Sequence, residues 1–191
     1  MKKILIFLLI LSNLSFAAQN LPINSKEFDK IIDQAFENID RGNTQKGVSI
    51  LKKKISENPT EIIYKAILGS IYDGAGRKDE AEKEFDEAVK LQEKYPFIAG
   101  DGKKYDIRFM IGMFYSFTED YTSALKWLNQ VDEKEYNEMF KDELELKDFL
   151  FGIFNYNDGN PEEAKKYLFK SSIYDKEGLS ENVLGQIYFT E

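Results

Sequence analysis

LGSIYDGAGRKDEAEKEFDEA, running from Leu68 to Ala88, decides the fold. A small residue, Gly69, follows the large apolar Leu68, and the aromatic Tyr72 comes three residues later. After Gly76 the apolar positions return at helical spacing as Ala81, Phe85 and Ala88. Residues three and four apart share one helix face, so this order reads as two amphipathic helices with a glycine turn between them. Where the two axes cross closely, one helix needs a residue without bulk and the other a knob to fill the gap. Gly69, Ala81 and Phe85 have the types that such a crossing needs.

The same order recurs along the chain. Gly47 and Leu51, Ala124 and Leu128, and Ala164 and Leu168 repeat the pair Ala81 and Phe85. Twelve residues before the first member of each pair stands a small residue: Ala35, Gly69, Gly112 and Gly152. Leu68, Ile111 and Phe151 precede the three glycines. Asn43, Asp120 and Asn160 are suited to cap the second helix of their units, and Asn160-Pro161-Glu162-Glu163 adds proline at the first helical position. Gly42, Gly76 and Gly159 suit helix ends that need a positive φ. Near the end of the sequence, Leu184-Gly185-Gln186-Ile187-Tyr188 copies Leu68-Gly69-Ser70-Ile71-Tyr72.

These residues resemble the tetratricopeptide repeat (TPR), whose helix A carries an apolar–small pair and an aromatic three residues on, and whose helix B carries small, aromatic and small residues. The first unit departs from the pattern, with Gln34 and Asn38 at its apolar and aromatic positions, although Gly42, Leu51 and Pro59 keep the frame. The resemblance implies an all-α helical-hairpin solenoid of about four hairpins, with Ser180–Glu191 as a closing helix. Unit spacing is uneven. The stretch 92–105, with Pro96, Gly100 and Gly102, reads as a loop, and the charged stretch 132–145 reads as a longer helix B with its connection. The packing frame predicts that leucine at Gly69 or Gly152 overpacks a hairpin, whereas leucine at Gly102 is mild.

Composition narrows the function. The chain of 191 residues carries a formal net charge of −8 and contains neither histidine nor cysteine. Net negative charge disfavours nucleic acid and anionic lipid as partners. Lys52-Lys53-Lys54 and Lys103-Lys104 are read as solvated surface. Without histidine or cysteine the usual nucleophile–base pairs and nitrogen- or sulfur-ligated metal sites are excluded. A carboxylate-dependent hydrolase is the one remaining enzyme class. Adjacent acids such as Asp86/Glu87 and Glu162/Glu163, however, are accounted for by solvation and the helix dipole. No catalytic, cofactor or metal residues are therefore assigned, and the chain is read as a non-enzyme without cofactors.

Met1–Ala17 has two lysines, a short apolar run and small residues at its end, the build of a cleaved signal peptide. It implies an exported protein, periplasmic or secreted, with no stable membrane insertion after cleavage. The domain reading is a signal peptide over 1–17, a lead-in over 18–25 and a TPR-like domain over 26–191.

The resemblance further implies that the A helices line a concave face. Carried onto this chain, the frame puts Phe36, Ile39, Ala66, Ser70, Phe109, Met113, Phe117, Phe149, Ile153 and Tyr156 there, and no lysine of a carboxylate clamp. Two outcomes are open: an apolar groove for a protein or peptide partner, or aromatic packing within the core. The function expected is a scaffold or adaptor of the bacterial cell envelope. The alternative is a chaperone-like carrier of an apolar export client.

Overall fold

The computed structural model describes residues 25–99, 102–141 and 143–190. Met1–Ala17, read as a signal peptide, lies outside the described residues. So does most of the lead-in, whose last residue, Ser25, opens the first helix.

Four helical hairpins follow one another. They are α1 (Ser25–Asp40) with α2 (Thr44–Glu57), and α3 (Ile63–Gly74) with α4 (Lys78–Leu91). After these come α5 (Ile107–Phe117) with α6 (Tyr121–Leu128), and α8 (Leu144–Asn157) with α9 (Pro161–Ser172). The lone helix α10 (Leu179–Thr190) packs on α9. Each helix B also touches the next helix A, so the hairpins stack as the repeat pattern implies. No helix among the described residues is long and apolar enough to cross a membrane.

The crossings are as tight as the glycines suggest. A Cβ added at Gly69 would lie 2.6 Å from the Phe85 ring, at Gly112 2.8 Å from Leu128, and at Gly152 2.6 Å from Leu168. Those three knobs are buried, as are Ala81, Ala124 and Ala164 beside them. The turns obey their sequences less evenly. Gly42, Gly76 and Gly159 take positive φ, and the carboxylate of Asp120 accepts a hydrogen bond from the Ser123 amide. Asn43 and Asn160 stand at the cap positions without a side-chain capping bond.

The third hairpin puts Glu119, at φ 64°, where the other turns have glycine. A side chain in the left-handed region costs about 1 kcal/mol or more. Glu119→Gly is therefore expected to stabilise the fold, and a gain of ~1 kcal/mol would raise the melting temperature by about 2–4 °C. A calorimetric scan beside the wild type checks it.

Both insertions are structured, which corrects the sequence reading. Within 92–105, β1 (Phe97–Ile98) pairs antiparallel with β2 (Lys104–Tyr105), so the all-α fold carries one short ladder. Gly102 sits at φ 76°, so leucine there has room but a strained backbone, a cost the sequence reading did not include. The stretch 132–145 extends no helix B. It forms a separate helix, α7 (Glu133–Met139), whose Tyr136 and Met139 are buried together with the following Phe140. The Tyr136 hydroxyl donates to the Leu128 carbonyl at 2.7 Å. The two insertions meet: β2 packs on α7, and Lys104 pairs with Glu135 at 3.1 Å.

Lys54 also departs from the surface reading. Only 9% exposed, it packs its stem in the core and sends its ammonium to Glu27 of α1 at 2.7 Å.

Candidate functional site

The A helices α1, α3 and α5 enclose an apolar hollow of about 370 Å³. Its walls are Phe36 and Ile39 of α1 on one side and Phe114 and Phe117 of α5 on the other. The strip between them comes from α3: Ile67, Ser70, Ile71 and Gly74, followed by Ala75. Positions 67, 70, 71 and 74 share one helix face by spacing. The hollow follows from side-chain size. Ser70, Gly74 and Ala75 are short, and the neighbouring helices raise aromatic rings on both sides. A Cβ at Gly74 would meet nothing within 4 Å, and the Ser70 hydroxyl is turned back onto the Ile67 carbonyl at 2.8 Å. Asp40, Thr44 and Thr118 form a polar rim. Phe36, Ile39, Ser70 and Phe117 are half-buried, each leaving part of its surface to the hollow.

The aromatic stripe read from the sequence is divided by the structure. Phe36, Ile39, Ser70 and Phe117 line the hollow. Ala66 is fully buried. Phe109, 6% exposed, lies in the core. Its ring stacks on Tyr105 at 6.0 Å and meets the edges of Tyr136 at 6.3 Å and Phe140 at 5.4 Å, so the insertions cover the position the repeat frame would leave open. Met113 and Ile153 are half-buried against the main core. Phe149 and Tyr156 pack with Ala164, Leu168, Leu184 and Ile187 in a separate cluster under α10. Ile67, Ile71, Phe114 and Gly74 were not singled out by the sequence. Their signal was a run of short side chains on one helix flanked by aromatics on its two neighbours.

Three acids of these pairs, Glu87, Glu162 and Glu163, are held by lysines. Glu87 accepts from Lys65 at 2.7 Å, and this bond holds its carboxyl below the usual range. Glu162 and Glu163 accept from Lys165 and Lys166, and the bond from Lys165 likewise lowers Glu162. A general acid needs the opposite shift. Burial does raise Asp29, Glu61 and Asp148, which stand on α1, just before α3 and on α8. Among the described residues no cluster of acidic side chains is arranged to hold a metal ion.

A family model described as tetratricopeptide repeat matches residues 64–95 and 105–133, the second and third hairpins that form two of the hollow's three sides. No curated protein matches the chain.

Proposed function

Since the chain is a tetratricopeptide-repeat protein, we propose that it is a non-catalytic scaffold or adaptor of the bacterial cell envelope that takes an apolar segment of a protein partner into the hollow between α1, α3 and α5. The hollow itself carries this reading: half-buried Phe36, Ile39 and Phe117 face a strip of short side chains wide enough to admit an apolar group. The leader-like stretch Met1–Ala17 supports the envelope location. Fully burying one large apolar side chain contributes roughly 1.5–3 kcal/mol, so two anchors suffice for a specific contact once ordering costs are met.

Displayed peptides selected on the full chain test it. The recovered sequences are expected to share apolar or aromatic anchors, to bind with weak salt dependence and to show a negative heat-capacity change. Phe36→Asp with Phe117→Asp should weaken them at least about tenfold, the loss of 1.4 kcal/mol or more, while the protein remains folded by circular dichroism. Equal binding to a folded double variant would show that the partner surface lies elsewhere.

A further inference from the structure

A second cavity, of about 450 Å³, shares no lining residue with the hollow and owes one wall to the second insertion. The end of α6 and α7 form one side of it, and α8 and α9 the other. Its buried lining is aliphatic or aromatic: Leu128, Val131, Tyr136 and Phe151, with the Tyr167 ring stacked on Phe151 at 5.1 Å.

The polar groups around it are of two kinds. Glu133 and Lys147 are already paired at 2.5 Å, and the same ammonium lies over the Tyr136 ring at 4.9 Å. Asn129, Asn137, Asp148 and Lys170 are not paired. Among the described residues none of these four side chains has a hydrogen bond or a close ion pair. The Lys170 ammonium rests over the Tyr167 ring, 5.3 Å from its centroid. Burial raises the Asp148 carboxyl, and Lys170 and then Lys147 oppose the rise from beyond bonding distance. A half-buried carboxylate so placed gains from a donor that the protein itself does not supply.

The balance of charge narrows what fits. Glu133 and Asp148 offset Lys147 and Lys170, so an anion meets two carboxylates and a cation meets two ammonium groups. An uncharged molecule is favoured. It must both donate and accept, because an ammonium, two amides and a carboxylate stand ready, and a hydroxyl does both. Tyr174 lines the cavity yet is 56% exposed, so its ring is open to an apolar C–H face laid against it. The lining comes from helices and their ends and offers no strand edge for a peptide backbone to extend.

We propose that this cavity binds one uncharged sugar ring of a glycan. The ring's hydroxyls meet Asp148, Lys170, Asn129 and Asn137, and its C–H face stacks on Tyr174.

Ligand-observed NMR titrations of the full-length protein test it with glucose, N-acetylglucosamine, glucosamine and glucuronate, in mildly acidic buffer where the amine is charged. The two neutral sugars are expected to bind, and the two charged ones to bind about threefold or more weakly than glucose. Asp148→Asn leaves the lining net positive and should move glucuronate ahead of glucosamine. Lys170→Gln should do the reverse. Tyr174→Ala, at an exposed ring, should hold its melting temperature while the neutral sugars weaken at least about tenfold. The double variant Phe36→Asp with Phe117→Asp should keep sugar binding, so this site and the hollow stand or fall separately. Failure of both neutral sugars to bind would overturn the proposal. So would charged sugars that bind as well as glucose, or binding that survives Tyr174→Ala. Displayed peptides that lose their hold on Tyr174→Ala would make the occupant a protein and overturn it too.

Discussion

Gly69→Leu is expected to lower the melting temperature by ten degrees or so, whereas Gly74→Leu, on the same helix, leaves it unchanged or raises it slightly. At Gly69 even the first added carbon would lie 2.6 Å from a Phe85 ring that is 2% exposed and has nowhere to move. Overpacking a filled core costs about 1–3 kcal/mol and more where the backbones must part. For a chain of this size, 3 kcal/mol corresponds to about 6–12 °C. At Gly74 the added side chain meets nothing within 4 Å, and leucine is the better helix former by roughly 0.5–1 kcal/mol. Gly152→Leu should behave as Gly69→Leu does, against Leu168 at 2.6 Å. Thermal unfolding of the three variants separates crossing glycines from ordinary ones. Equal melting temperatures would contradict the close helix–helix packing.

The second large effect concerns Phe109. Phe109→Ala is expected to destabilise the fold by about 3–5 kcal/mol, the usual range for truncating a buried aromatic. The ring is 6% exposed and joins β2, α7 and Phe140 around a single centre. Phe117→Ala removes a half-buried ring from the hollow and should cost much less. Denaturant unfolding measures both. If Phe117→Ala proved the more damaging, the division between core and hollow would be misplaced.

The contrast between these two phenylalanines shows how much was legible in the sequence. The hairpins were legible because their rule is local: a small residue, then a small residue and a knob at fixed spacing, on helices that must cross. Even the first hairpin obeys it through Ala35, Gly47 and Leu51, despite Gln34 and Asn38 at its apolar and aromatic positions. The insertions were not legible, because their structure rests on one another. Tyr105 is placed by Phe109, and Tyr136 by the Leu128 carbonyl and the Phe151 ring 5.7 Å away. Charged stretches with glycine and proline look alike whether or not such partners exist. The stripe of aromatics was visible, but its division was not. Helical spacing puts Phe109 and Phe117 on neighbouring parts of the same helix, and only the covering insertions send one to the core and leave the other at the hollow.

The meeting of β2 with α7 also changes how the array comes apart. In a stack whose units touch only their neighbours, opening spreads from either end one unit at a time, and each step has a similar cost. Here the two insertions close a belt across the third hairpin: the Gln92 side chain accepts from the Ile107 amide at 2.9 Å, Lys104 reaches Glu135, and Tyr136 holds the end of α6. To release α5 and α6, all three of these contacts must open in the same event. The first hairpin can then fray without disturbing the centre, whereas the fourth, whose Phe151 packs on Tyr136, is tied to it, so the molecule behaves as a clasped body with one looser end instead of a uniform zipper.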